Sequence, residues 1–162
     1  MSRKIILPFI FIALLIGCSS PSRTASDLYS ALDQNLSQKD QVILDSLHSH
    51  VQKFIQLNKE LNMLLEEMKK EDELEAAVET MQIANEEAMY IFNLIELDGK
   101  PSNKSLDELR NHIQASIERY MESMSTLLQG ITNGDTNKTD DGYEQIKSIN
   151  EEFDQLLSTM GG

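Results

Sequence analysis

The sequence predicts an all-α protein, an antiparallel helical bundle of about four helices. Three observations carry that expectation. Apolar residues recur in alternating steps of three and four through most of the chain beyond residue 40, the spacing of one buried helix face. Only seven Gly and three Pro occur among 162 residues. Past the first 26 residues they gather between the apolar stretches, which favours a few long helices over many short strands. The connections are short, and short connections make neighbouring helices antiparallel.

The first segment is a leader. Ser2-Arg3-Lys4 is followed by an apolar run of 13 residues, 5–17, that contains Pro8. A basic start, a short apolar stretch and a small residue at its end make a secretory signal. A membrane-spanning helix needs about 20 apolar residues, so this run is too short to serve as one. It ends in Leu15-Ile16-Gly17-Cys18, which resembles the lipobox of bacterial lipoproteins. The resemblance implies removal of residues 1–17 by the lipoprotein signal peptidase. It also implies a diacylglyceryl group on the Cys18 sulfur, with N-acylation of the new terminus as an optional last step. The protein would then sit on the outer face of a bacterial cell membrane. Ser19 in place of Asp directs it to the outer membrane if the cell is Gram-negative. Two acyl chains anchor stably where one holds only marginally.

Residues 18–26 form the lipidated Cys and a flexible Ser-containing tether, and residues 27–162 form the bundle domain. The eight residues 19–26 reach roughly 28 Å when extended, so the domain stays near the membrane. In residues 27–36, Leu28, Leu32 and Leu36 at spacing four predict a short helix packed across one end of the bundle.

Residues 40–70 form the first long helix, with a seam of Leu47, Val51, Phe54, Leu61, Leu65 and Met68. Asn58 fills the gap in that seam. Leu74, Val78, Met81, Ala88, Phe92 and Ile95 repeat the steps, with Asn85 in the gap. The stripe changes phase between them, since four and seven residues after Met68 stand Asp72 and Glu75. Asp72 with Glu75 also forms an N-cap and capping-box pair, and Lys69 and Lys70 suit a helix C-terminus. The phase change predicts a hairpin turning near Glu71. The alternative is one continuous rod over 40–98. A hairpin brings Asn58 and Asn85 to similar heights. They either meet as a register-fixing pair or face solvent, as Asn usually does.

Gly99, Pro101 and their polar neighbours break the chain, and Ser105 with Glu108 forms a capping box. Leu109, Ile113, Ile117, Tyr120, Met124, Leu127 and Ile131 line the next helix. Residues 132–142, polar and Gly-containing, read as a loop, with Asp141 and Glu144 starting the last helix. That helix buries Tyr143, Ile146, Ile149, Phe153, Leu156 or Leu157, and Met160, and Gly161 and Gly162 end it.

Charge narrows the function. The chain has 14 basic and 27 acidic residues. Losing Arg3 and Lys4 with the leader leaves 12 against 27, a net charge of −15. Such a surface repels phosphate backbones, which excludes nucleic acid as a partner. Membrane contact therefore comes from the lipid. Cys18 is the chain's only Cys, so once acylated it leaves neither a disulfide nor a thiol nucleophile.

Signatures of chemistry are sparse. Asp45-x-x-His48 has the spacing of bundle metal sites, but Leu109 stands three before His112, so a second such motif fails. Residues 135–142 resemble a calcium loop, but with Gly142 as its sixth position Ser148 stands where the bidentate Glu belongs. No phosphate loop, Gly-x-Ser-x-Gly or His-Glu-x-x-His occurs. The seven Met of the mature chain sit mostly on or beside apolar stripes and suit core packing. No catalytic residue, metal or cofactor is expected beyond the covalent lipid on Cys18.

The layout of leader, tether and acidic helices loosely resembles the small helical lipoproteins of Bacillus-type bacteria, a resemblance that implies no activity. The leading expectation is a non-enzymatic interaction module at the cell envelope, binding an envelope protein or itself. The alternatives are an envelope protein that binds a cation or small ligand, a structural spacer if 40–98 is a rod, and an immunity-type lipoprotein.

Overall fold

The computed structural model describes residues 23–161, except 33, 34 and 72 and the side chains of 68–71. The described residues form an all-α bundle of five helices with no strand: α1 (Ala25–Ser30), α2 (Gln38–Glu71), α3 (Leu74–Leu97), α4 (Lys104–Asn133) and α5 (Thr136–Thr159). No described helix is long and apolar enough to cross a membrane.

α2 ends at Glu71, and α3, which starts at Leu74, folds back along it. The hairpin is therefore formed and the rod is not. The predicted cap Asp72 lies outside the described residues, and Glu73 at the N-cap makes no side-chain capping bond. α4 packs against α3 on one side and most extensively against α5 on the other, while α5 also meets α2. The result is an up-and-down bundle with α2 and α4 on a diagonal. Its core runs through Leu47, Val51, Phe54, Leu61, Ile113, Ile117, Tyr120, Met124, Ile149 and Phe153, all buried. Phe54, Tyr120 and Phe153 tie three helices together. The Phe54 and Tyr120 rings meet edge-on at 4.9 Å and 78°. The Phe54 and Phe153 rings lie 4.4 Å apart.

The short helix begins earlier than predicted. Thr24 accepts from the Asp27 backbone N–H while the Asp27 carboxylate accepts from the Thr24 backbone N–H, a complete capping box. Residues 25 and 26 therefore belong to α1, with Thr24 as its cap, and not to the tether. Ala25 and Leu28 are buried, and α1 lies against α4 and α5, where Ala25 shares a small cleft with Ile113 and Ser116 of α4 and Phe153 and Leu156 of α5.

The largest departure concerns residues 132–142. Only Gly134 and Asp135 separate α4 from α5. Gly134 takes a left-handed φ of 66° and ends α4, and the Asp135 carboxylate accepts from the Lys138 backbone N–H to start α5. Gly142, read as part of a loop, is buried one and a half turns inside α5. A methyl group there would lie 2.7 Å from the Leu127 backbone nitrogen, and one at Gly130 would lie 2.5 Å from that of Thr139. These two glycines let α4 and α5 approach backbone to backbone. Gly142 thus holds the contact position assigned to Tyr143, which stands exposed.

Two smaller corrections follow from caps and phase. Asn103, not Ser105, caps α4, accepting from the Leu106 backbone N–H at 3.0 Å. In α3 the buried stripe is Met81, Ala84, Ala88, Ile91 and Ile95. Leu74 is exposed, and Val78, Asn85 and Phe92 are only partly buried.

The open end of the α2–α3 hairpin is fastened by polar bonds. Asp40, almost fully buried, accepts from the Ser102 hydroxyl at 2.6 Å, the Ser102 backbone N–H at 2.8 Å and the Ser37 hydroxyl at 2.9 Å. The Ser102 hydroxyl is the largest of the influences that hold the Asp40 carboxyl below its ordinary value. These bonds pin the start of α2 to the α3–α4 turn, where Gly99 supplies a φ of 82°.

Candidate functional site

Cys18 and Leu15, Ile16 and Gly17, the residues that resemble a lipobox, lie outside the described residues. The register pair does not form. Asn58 is buried, and its Nδ2 donates to the Phe54 carbonyl at 2.9 Å. Among the described residues its Oδ1 has no partner, nor has that of Asn85. Asn58 shares a small polar cavity with Asn62, Asn150 and Asp154 of α2 and α5. Asn85 stands on the α3 face of Phe92 and Glu96, and Glu96 accepts from Gln114 of α4. The two asparagines therefore serve different interfaces of the bundle. Asn58→Leu is expected to raise stability by about 1 kcal/mol, because it removes an unsatisfied buried acceptor at similar volume. A urea titration checks this, and a loss of stability would mean that the amide is better satisfied than its Oδ1 indicates.

Three polar clusters were the remaining places for chemistry. The Ser46 hydroxyl and the Asp98 carboxylate both meet His50 at Nε2, at 3.1 and 2.9 Å, and the buried Nδ1 has no partner among the described residues. A relay of the Ser–His–Asp kind needs the hydroxyl and the carboxylate on opposite ring nitrogens, so this arrangement is a structural clasp between α2 and the end of α3. In the second cluster, Glu152 of α5 joins His112 at 2.5 Å, Arg119 at 2.8 Å and the Ser116 hydroxyl at 3.3 Å, all from α4. Ser116 and His112 do not bond to each other; the hydroxyl donates to the Glu152 carboxylate, which is itself paired with His112 and Arg119. In the third, Asp45 accepts from Gln41, and His48 pairs with Gln52, both on the helix surface. Among the described residues no three His, Cys, Asp or Glu side chains gather as a metal site.

Glu152 is expected to make the bundle acid-sensitive. The hydrogen bond from His112, ahead of that from Arg119, holds its carboxyl below the ordinary value despite its partial burial. A depressed carboxyl contributes stability that is complete above its unfolded value of about 4.3 and fades as pH falls through the folded one. Glu152→Gln is expected to cost about 1–2 kcal/mol at pH 7 and to flatten the stability loss between pH 5 and 3. Urea titrations at both pH values test this, and an unchanged acid limb would place the sensitivity elsewhere.

An apolar feature lies on the outside of the α2–α3 hairpin. There a groove of about 520 Å³ runs between the two helices. Its floor is Leu57, Leu61, Ala84 and Ile91, and its rims carry Leu64, Ile83 and Tyr90. Leu61, Ala84 and Ile91 are buried by the bundle, whereas Leu64, Ile83 and Tyr90 are 43%, 55% and 59% exposed. Two helical stripes build it. Leu57, Leu61 and Leu64 follow at steps of four and three on α2. Ile83 and Tyr90, seven apart on α3 and off the buried stripe, form the other, and Leu97 continues their spacing beyond the groove. Small Ala84 keeps the floor deep. Sequence reasoning passed over this second α3 stripe because it tracked the seam that closes the core. The sevenfold recurrence of Ile83, Tyr90 and Leu97 was the available signal. Two of the methionines assigned to packing, Met63 and Met89, are also exposed on this hairpin, while Met81, Met124 and Met160 are buried.

Comparisons with protein-family models, with curated proteins and with solved structures find no match for this chain.

Proposed function

We propose that this protein is a lipid-anchored, non-enzymatic interaction module on the outer face of a bacterial membrane, and that it engages another envelope protein through the groove on its α2–α3 hairpin. The observation that carries this reading is the groove itself. Leu64, Ile83 and Tyr90 keep large apolar surface in water beside a floor that a partner side chain can reach. Clustered exposed apolar surface marks an interaction site, whereas single exposed residues do not. The Leu15-Ile16-Gly17-Cys18 motif supports the anchor. Lipidation confines the module to a thin layer and raises its effective concentration toward a membrane partner, so a modest affinity suffices. A structural spacer required residues 40–98 to form a rod, and the hairpin removes that premise.

The test places a photoreactive amino acid at Ile83 of the whole chain in its host cell. The expected result is one dominant crosslinked envelope protein, lost when Cys18→Ala blocks lipidation and absent when the probe is moved to exposed Tyr143 on α5. Labelled fatty acid should enter the wild type and not Cys18→Ala. No adduct at Ile83, or one indifferent to Cys18, would overturn the reading.

A further inference from the structure

The groove's occupant is legible in its charge. Three charged residues stand in its walls: Lys53 and Glu60 on α2, and Glu87 on α3. Glu67, seven residues after Glu60, continues the α2 wall, and Glu79 and Glu86 stand four residues before Ile83 and Tyr90 on α3. All three are exposed. α3 carries five Glu and no Lys or Arg. Among the described side chains, one ammonium thus stands with five carboxylates along these helix faces. The wall from Lys53 to Leu64 is about 17 Å long, three turns of helix at 1.5 Å per residue. Apolar floor, open rims and three-turn length match the groove that receives one amphipathic helix.

We infer that the groove takes a basic amphipathic helix of a partner protein, with apolar residues at i, i+4 and i+7 on the floor and Lys or Arg on both flanks against Glu60 and Glu87. This rests on the interaction-module reading above and names its partner's chemistry. A second copy of this chain is the poorer occupant, because a symmetric contact places the same acidic walls on one another. Anionic lipid is disfavoured for the same reason.

The test uses the whole chain as the cell makes it, reconstituted in phosphatidylcholine nanodiscs, with empty nanodiscs as the blank. Two fluorescent 18-residue helical peptides share one Leu stripe, and one carries Lys flanks where the other carries Glu. The Lys peptide is expected to bind at least tenfold tighter, and a photoreactive Leu in it should crosslink to α2 and α3. Leu64→Ser with Ile83→Ser should weaken binding at least tenfold. Glu60→Gln with Glu87→Gln should weaken it severalfold and reduce its salt dependence, while Tyr143→Ser leaves it unchanged. Tyr90→Ala, at another exposed position, repeats the apolar test should the double variant melt early. Equal binding of the two peptides, crosslinks elsewhere, or indifference to the groove variants would overturn the inference. So would a dimer of the wild type that Ile83→Ser dissociates, or a groove that takes fatty acid and neither peptide. An Ile83 adduct in cells with no peptide binding would sink the basic helix and leave the module. Peptide binding with no adduct in cells would do the reverse.

Discussion

Phe54→Ala is expected to remove about 4 kcal/mol of stability. Large-to-small changes at a buried Phe cost about 3–5 kcal/mol through lost transfer free energy and the cavity left behind. Phe54 sits at the upper part of that range for two reasons. It is fully buried, and its ring is the shared partner of Tyr120 and Phe153. Aromatic pairs add about 0.5–1.5 kcal/mol each beyond area burial. The cavity would open where α2, α4 and α5 meet, and three long helices cannot all close on it without sliding their other contacts. Domains hold only about 5–15 kcal/mol in total, so the variant should lose a third or more of its stability. Urea unfolding followed by circular dichroism measures the loss. Tyr143→Ala, at an exposed ring, is the control and should stay within about 0.5 kcal/mol. A loss below about 1 kcal/mol at Phe54 would mean that the three rings do not form the centre of the core.

Gly142→Ala is expected to destabilise, and the sign is the decisive part. Inside a helix, Ala is favoured over Gly by about 1 kcal/mol, so helix propensity alone predicts a gain. Contact predicts the opposite. The added methyl lies 2.7 Å from the Leu127 nitrogen and 2.9 Å from its Cα, and a backbone atom cannot swing aside as a side-chain end can. α4 and α5 must separate, and overpacking of this kind costs about 1–3 kcal/mol or more. The net expectation is a loss of about 2 kcal/mol, or several degrees in Tm. Gly130→Ala should behave alike through Thr139, and the two together should cost less than their sum, since one separation relieves both. A rise in Tm for Gly142→Ala would show that the helices do not approach this closely.

These two sites differ in how readable they were. Phe54 belongs to a seam whose steps of three and four run unbroken from Leu47 to Leu61, and that seam is buried as its spacing predicts. The α4 stripe from Leu109 to Leu127 is equally faithful. Gly142 was misread because a Gly between polar residues has the same local appearance in a loop and in a close helix contact. Its role comes from Leu127 across the interface, which no local window contains. Asn85 and Phe92 were misplaced for a related reason. α3 carries apolar residues on more than one face, and periodicity does not say which face meets α2 and which meets α4. The groove escaped notice in the same way, since Ile83 and Tyr90 are ordinary apolar residues until their exposure is known.

The sequence by itself determined the all-α class, the long helices, the turn near residue 71 and most of the core, because local spacing governs which helix face is apolar. Leu15-Ile16-Gly17-Cys18, which resembles a lipobox, is likewise a linear motif readable without the fold. Tertiary structure decided how close the helices come, which asparagine is buried, and which apolar side chains are left in water. Those outcomes depend on the distance and rotation between helices, set by pairs such as Gly142 with Leu127 that lie far apart in the chain and adjacent in space.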